Sequence, residues 1–132
     1  MVNKIHHVGV AVKDLDASVK LFKEAFNLSS SPIIEMKERK TRIALLSVGE
    51  NEIFELIQPE TLEREGFLHV CLPVENIEEA LAALKKKGII ALAPPRIGAH
   101  KVKIAFLDPK TTNGLPFVAW RFFPRALFAL FS

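Results

Sequence analysis

His7 and His69 stand 62 positions apart in matching surroundings, His7-Val8-Gly9-Val10-Ala11-Val12-Lys13-Asp14-Leu15 against His69-Val70-Cys71-Leu72-Pro73-Val74-Glu75-Asn76-Ile77. Each histidine opens an apolar run, an acidic turn follows, and an amphipathic helical pattern comes next. Val19, Phe22 and Phe26 fall on one face of the first helix, and Ile77, Leu81 and Leu84 on one face of the second, spacings near three and four that suit a buried stripe. The first helix is expected to end near Phe26-Asn27-Leu28 and the second at Lys85-Lys86-Lys87-Gly88, where a glycine cap and cations near the negative helix end are favourable. The register returns at Lys40-Thr41-Arg42-Ile43-Ala44-Leu45 and Lys101-Val102-Lys103-Ile104-Ala105-Phe106, an offset of 61. Each copy thus reads strand, helix, strand, strand, strand. The expected fold class is α+β, with two tandem βαβββ modules, one at about 4–60 and one at about 66–120, in a single domain of 132 residues.

Two copies packed about a pseudo-two-fold axis would bring equivalent strand positions, the histidines among them, toward one central cleft. A lone strand histidine is more often half-buried, hydrogen-bonded and inert; duplication is what raises a shared site as the alternative. His6 has no partner in the second copy, where Leu68 stands, so it is expected to point the other way along the pleat.

Composition narrows the classes. No apolar run reaches membrane-spanning length, and positions 1–20 already carry lysines and aspartates, so neither a spanning segment nor a targeting leader is expected. The single cysteine, Cys71, cannot form an intramolecular disulfide, and a cytoplasmic home is the simplest expectation. A net charge of +3 permits anionic ligands, but the basic residues are scattered and no nucleic-acid partner is expected. More suggestive is Pro94-Pro95-Arg96-Ile97-Gly98-Ala99-His100-Lys101, followed by a strand and by Asp108-Pro109-Lys110. Backbone amides at that glycine turn, with lysines beside them, would suit a phosphate; the alternative is an ordinary hairpin connection carrying solubility charges.

Ile5-His6-His7-Val8-Gly9-Val10-Ala11-Val12-Lys13-Asp14-Leu15, Phe54-Glu55-Leu56-Ile57-Gln58-Pro59, Leu68-His69-Val70, and Gly98-Ala99-His100 with Ile104-Ala105-Phe106-Leu107-Asp108-Pro109-Lys110-Thr111-Thr112-Asn113-Gly114 together resemble the vicinal-oxygen-chelate (glyoxalase/bleomycin resistance/dioxygenase) superfamily, and within it the methylmalonyl-CoA epimerases. The resemblance covers residues 4 to about 114, and the last stretch separates the epimerases from glyoxalases and resistance proteins. It implies paired βαβββ modules whose mixed sheet curls around a divalent metal, which could be cobalt, manganese, nickel or zinc. The implied reaction inverts the carbon between a carboxylate and a CoA thioester through a metal-stabilised enolate, a carboxylate side chain moving the proton. Carried over by position, the implied ligands are His7, Glu55 and His69, and the implied substrate contacts are Gly98, His100, Lys101 and Lys110. Glu55 alone would otherwise be read as a strand glutamate facing either a polar cleft or solvent.

The chain departs from that pattern at its end. The family's final-strand glutamate falls on Val118, which cannot bind a metal, and the acidic position of the first module aligns near Arg42, leaving Glu35 and Glu38 as nearby acids and the catalytic acid unassigned. The departure favours, as the alternative function, a non-catalytic small-molecule-binding protein of the resistance type. From 115 to 132 the chain is an atypical apolar tail holding Phe117, Trp120, Phe122, Phe123, Phe128 and Phe131 and no acid, consistent with divergence or a shifted reading frame. Such a surface points to a homodimer, and Pro116 fits an edge or distorted strand better than a central one.

Overall fold

The computed structural model describes residues 4–98 and 101–121. The chain divides into two compact units, one comprising His6–His69 and the other Met1–Ile5 with Val70–Ser132. The tail phenylalanines Phe122, Phe123, Phe128 and Phe131 lie outside the described residues. Among the described residues no helix is long and apolar enough to cross a membrane.

The first unit runs β1 (His7–Ala11), α1 (Leu15–Phe26), β2 (Ser29–Ser30), β3 (Ile34–Met36), a 3-10 turn (Lys37–Arg39), β4 (Thr41–Val48) and β5 (Asn51–Gln58). β2 and β3 both pair antiparallel with β4, β4 pairs antiparallel with β5, and β5 returns parallel to β1. Asp14 starts α1 by accepting from the Ala17 N–H at 3.1 Å, and the Gln58 side chain accepts from the Leu15 N–H at 2.8 Å, tying the helix start to β5. Val12, Leu15, Leu28, Ala44, Leu46 and Leu56 form the core, with Val19, Phe22 and Phe54 against it. Phe26 departs from the expected stripe: it is 62 % exposed and stacks on Phe22 at 5.5 Å. It is the last residue before Asn27 turns left-handed at φ 56°, so the apolar face ends one turn earlier than the spacing implies.

The second unit runs β6 (Gly66–Val74), whose first residues belong to the other unit, then α2 (Ile77–Lys86), β7 (Arg96–Ile97), β8 (Lys103–Phe106), a 3-10 turn (Pro109–Thr111) and β9 (Phe117–Arg121). Here β6 pairs parallel with β9, β9 antiparallel with β8, and β8 antiparallel with β7. The pairing order repeats that of β1, β5, β4 and β3, so the α+β class and the doubled βαβββ pattern expected from the sequence are what the chain adopts. Ile77, Ala80 and Leu81 of α2 pack with Val74, Ala105 and Ala119. β9 is flanked on both sides, contrary to the edge position inferred from Pro116. The proline lies one residue before the strand, so its missing N–H removes no ladder bond, and its carbonyl accepts from the Val70 N–H at 3.0 Å.

α2 ends as its lysine and glycine run implies. The Gly88 N–H donates to the Lys85 carbonyl and the Ile89 N–H to the Leu84 carbonyl, both at 3.0 Å, with Gly88 at φ 87°. A side chain at that φ costs roughly 1–2 kcal/mol. Gly88→Ala is expected to lower unfolding free energy by about that much in urea titration, while Lys86→Ala, which leaves the cap intact, changes it by less than about 0.5 kcal/mol.

Candidate metal centre

The described residues that are both polar or charged and buried are three: His7 at 3 % exposure, Glu55 at 8 % and His69 at 7 %. They come from three strands, β1, β5 and β6. The parallel register pairs Gly9 with Glu55, so these two share a face of the sheet; His7, two residues before Gly9, shares it as well. Gly9 then makes room for the third member. A Cβ there would overlap the imidazole of His69, standing 2.6 Å from both ring nitrogens, so only a residue without a side chain lets His69 lie over β1.

The resulting geometry is tight. His7 Nε2 lies 3.7 Å from Glu55 Oε2, His69 Nε2 lies 3.8 Å from Glu55 Oε1, and the two imidazole centroids are 5.6 Å apart. One ligand atom from each residue lies within 4.8 Å of the others. Separations of 3.7 and 3.8 Å are too long for hydrogen bonds. They match two donors each about 2.0–2.2 Å from one cation, which stand roughly 3–4 Å apart. Two imidazoles and a carboxylate are a donor set for cobalt, manganese, nickel or zinc, so the residues fit a divalent cation held by His7, Glu55 and His69.

This chain matches a known family. The glyoxalase/bleomycin resistance protein/dioxygenase superfamily model matches residues 6–106, most of the chain. The chain belongs to that superfamily. Human mitochondrial methylmalonyl-CoA epimerase is 32 % identical over 126 residues, 85 % of this chain and 70 % of that protein. The ethylmalonyl-CoA/methylmalonyl-CoA epimerase of Cereibacter sphaeroides is 28 % identical over 127 residues, 86 % of this chain and 94 % of that one. The crystal structure of methylmalonyl-CoA epimerase from Mycobacterium tuberculosis shares the fold at a TM-score of 0.84 and 20 % identity, over 96 % of this chain and 92 % of that chain.

Within this superfamily member the two copies carry different chemistry. Gly9 pairs with Glu55 in the first, and Cys71 pairs with Val118 in the second, so Val118 holds the register position of the acid. Val118 is buried with Cys71, Val102 and Ile104 in an apolar cluster, and the position supplies packing where its counterpart supplies a carboxylate.

Two residues outside the expected set crowd His7. Glu52, its side chain only 8 % exposed, places Oε2 2.9 Å from His7 Nδ1. His6 Nδ1 lies 2.8 Å from the same atom, with the rings 5.0 Å apart. Pleat alternation would turn His6 away, but β1 begins only at His7, so the alternation does not reach it. Arg42 of β4, the position aligned with the family's acid, forms 3.3 Å ion pairs with Asp16 and Glu35.

The anion-binding expectation for the 98–110 segment divides. The Gly98 N–H donates to the Val102 carbonyl and the Lys101 N–H to the Gly98 carbonyl, each at 3.0 Å, closing the β7–β8 turn. The Lys110 N–H donates to Asp108 Oδ1 at 3.0 Å. These three amides are thus engaged by the chain itself, and Gly98 serves packing, since a Cβ there would sit 2.8 Å from Ile104 Cδ1. Lys101 and Lys110 are exposed, and His100 lies outside the described residues.

Burial pushes the Glu55 carboxyl up from 4.5 to about 7, with His7 opposing, Glu52 reinforcing and the charge of Arg39 opposing. The folded, metal-free protein therefore holds a proton on Glu55 at pH values where the unfolded chain has lost it. The stability that this one group contributes is full below pH 4.5 and is lost as pH rises through about 7, about 3 kcal/mol in all. Urea titrations of metal-free protein between pH 4 and pH 8 are expected to show that decline, and Glu55→Gln is expected to abolish it; equal slopes in both proteins would refute the assignment.

Proposed function

We propose that the chain is a metal-dependent epimerase of a CoA thioester of the methylmalonyl type, with His7, Glu55 and His69 as the metal ligands. The observation that carries this is the buried three-donor cluster, and the relatives named methylmalonyl-CoA epimerase supply the substrate class. A divalent cation there would supply positive charge to the two carbonyl oxygens flanking the reacting carbon, making its C–H bond acidic enough for a carboxylate to remove the proton. The chain's own part is to hold that charge in a dry setting and to move the proton.

The acceptor we assign is Glu38. It is the exposed acid of the 3-10 turn Lys37–Arg39 and makes no ion pair among the described residues. Glu35 is instead paired with Arg42. The phosphates of the thioester are assigned to the lysine side chains of the 98–110 segment, Lys101 and Lys110. Val118 offers no second acid, so one face of the substrate carbon exchanges its proton faster than the other.

Val118 is also the observation that favours the second reading, a non-catalytic protein of the same fold that binds a small molecule. Deuterium incorporation at C2 of methylmalonyl-CoA in heavy water, with and without Co²⁺, separates the two. The epimerase reading expects Co²⁺-dependent incorporation that outruns inversion, is abolished by His7→Ala or His69→Ala, and falls at least about 100-fold in Glu38→Gln. Incorporation undiminished in Glu38→Gln would move the acceptor elsewhere. No incorporation by folded, Co²⁺-loaded protein would make the binding protein the correct reading.

A further inference from the structure

We propose that Glu52 is the positioning residue that fixes which ring nitrogen of His7 carries the proton, and hence that Nε2 is the nitrogen offered toward Glu55 and His69. The inference rests on the metal-ligand role of His7 stated above. A neutral imidazole has one N–H and one lone pair, and the partner of one nitrogen decides the state of the other. At His7 the decision is contested, because two described groups stand at nearly equal distance from Nδ1: His6 Nδ1 at 2.8 Å and Glu52 Oε2 at 2.9 Å. Were His6 to donate its proton there, His7 would be left with N–H at Nε2, the nitrogen that faces Glu55 at 3.7 Å, and could not act as a ligand through it. A carboxylate only accepts. Glu52 beside Nδ1 therefore holds the proton on that nitrogen and keeps the Nε2 lone pair directed into the cluster.

The backbone explains how Glu52 reaches this place. Glu52 and Glu55 are three residues apart, and in a regular strand they would face opposite sides of the sheet. The β4–β5 ladder is not regular: Leu46 pairs with Phe54 while Ser47 pairs with Glu52, leaving Ile53 as an extra residue in β5. That bulge reverses the alternation and brings Glu52 to the side of Glu55, with its side chain at 8 % exposure.

The test is the imidazole tautomer of His7 in ¹⁵N-histidine-labelled, metal-free protein above pH 8, by long-range ¹H–¹⁵N correlation, together with calorimetric titration of each protein with Co²⁺. Wild type is expected to show Nδ1–H and an unprotonated Nε2. In Glu52→Gln the amide can donate as well as accept, so an Nε2–H population is expected, with Co²⁺ affinity lowered about 10–100-fold. His6→Ala is expected to keep the wild-type tautomer and affinity within about twofold. Nε2–H in wild type overturns the proposal. So does a Glu52→Gln protein with wild-type tautomer and affinity, or a His6→Ala protein that is the one to switch. Should Glu52→Gln fail to fold, the wild-type and His6→Ala spectra still decide. A wild type that binds no Co²⁺ but switches tautomer on Glu52→Gln upholds Glu52's hold on His7 and overturns the metal reading instead.

Discussion

The parallel pairing of β1 with β5 brings His7, Gly9 and Glu55 onto one face, and a carboxylate is buried where only a missing side chain leaves room for a second imidazole. Each part depends on the others. Shifting the register by one residue would send Glu55 to the opposite face and bring Phe54 or Leu56 into the polar cluster. Filling Gly9 would expel His69, and with it the imidazole contributed by β6. A buried acid that binds neither cation nor proton is costly, which is why burial raises the Glu55 carboxyl to about 7. The cluster is therefore a place where a proton on Glu55 stands in for the cation that the proposed metal site would hold.

The second copy keeps the scaffold and its histidine, His69, but not the carboxylate. Both copies use the same strand pairing, yet the register position of Glu55 is filled by Val118 and that of Gly9 by Cys71. Exchanging a buried carboxylate for a buried valine replaces a group whose charge is costly to desolvate with one that packs without a polar partner. The apolar cluster of Cys71, Val102, Ile104 and Val118 is the result.

Much of this was legible in the sequence, because the features concerned are local and repeated. The helix ends near Asn27 and at Gly88 follow from left-handed turns that these residue types prefer. His7, Glu55 and His69 were nameable through family resemblance, and His7 and His69 also through the repeat. What escaped was set by departures from ideal periodicity. Phe26 lies one turn beyond the buried stripe, and His6 precedes the strand whose pleat would have oriented it. Glu52 reads as an ordinary exposed strand acid until the Ile53 bulge reverses the alternation of β5. A bulge depends on pairing between strands, and nothing in the local run Asn51-Glu52-Ile53-Phe54-Glu55 announces it.

Charge counting explains why that hidden acid matters to the kind of ligand the centre suits. With both imidazoles neutral, Glu52 and Glu55 bring two negative charges into a poorly solvated space, and Glu52 contributes to the raised carboxyl of Glu55. In the proposed metal site a divalent cation would offset both of those charges, whereas a monovalent cation would offset one. Glu52 thereby acts in two directions. Through its field it would favour a doubly charged ligand, and through its 2.9 Å contact with His7 Nδ1 it would, as proposed, keep the opposite nitrogen unprotonated to receive one. An asparagine or glutamine at that position would retain a hydrogen-bonding shape while losing both effects, which is the physical reason a carboxylate, rather than any polar side chain, suits the bulge.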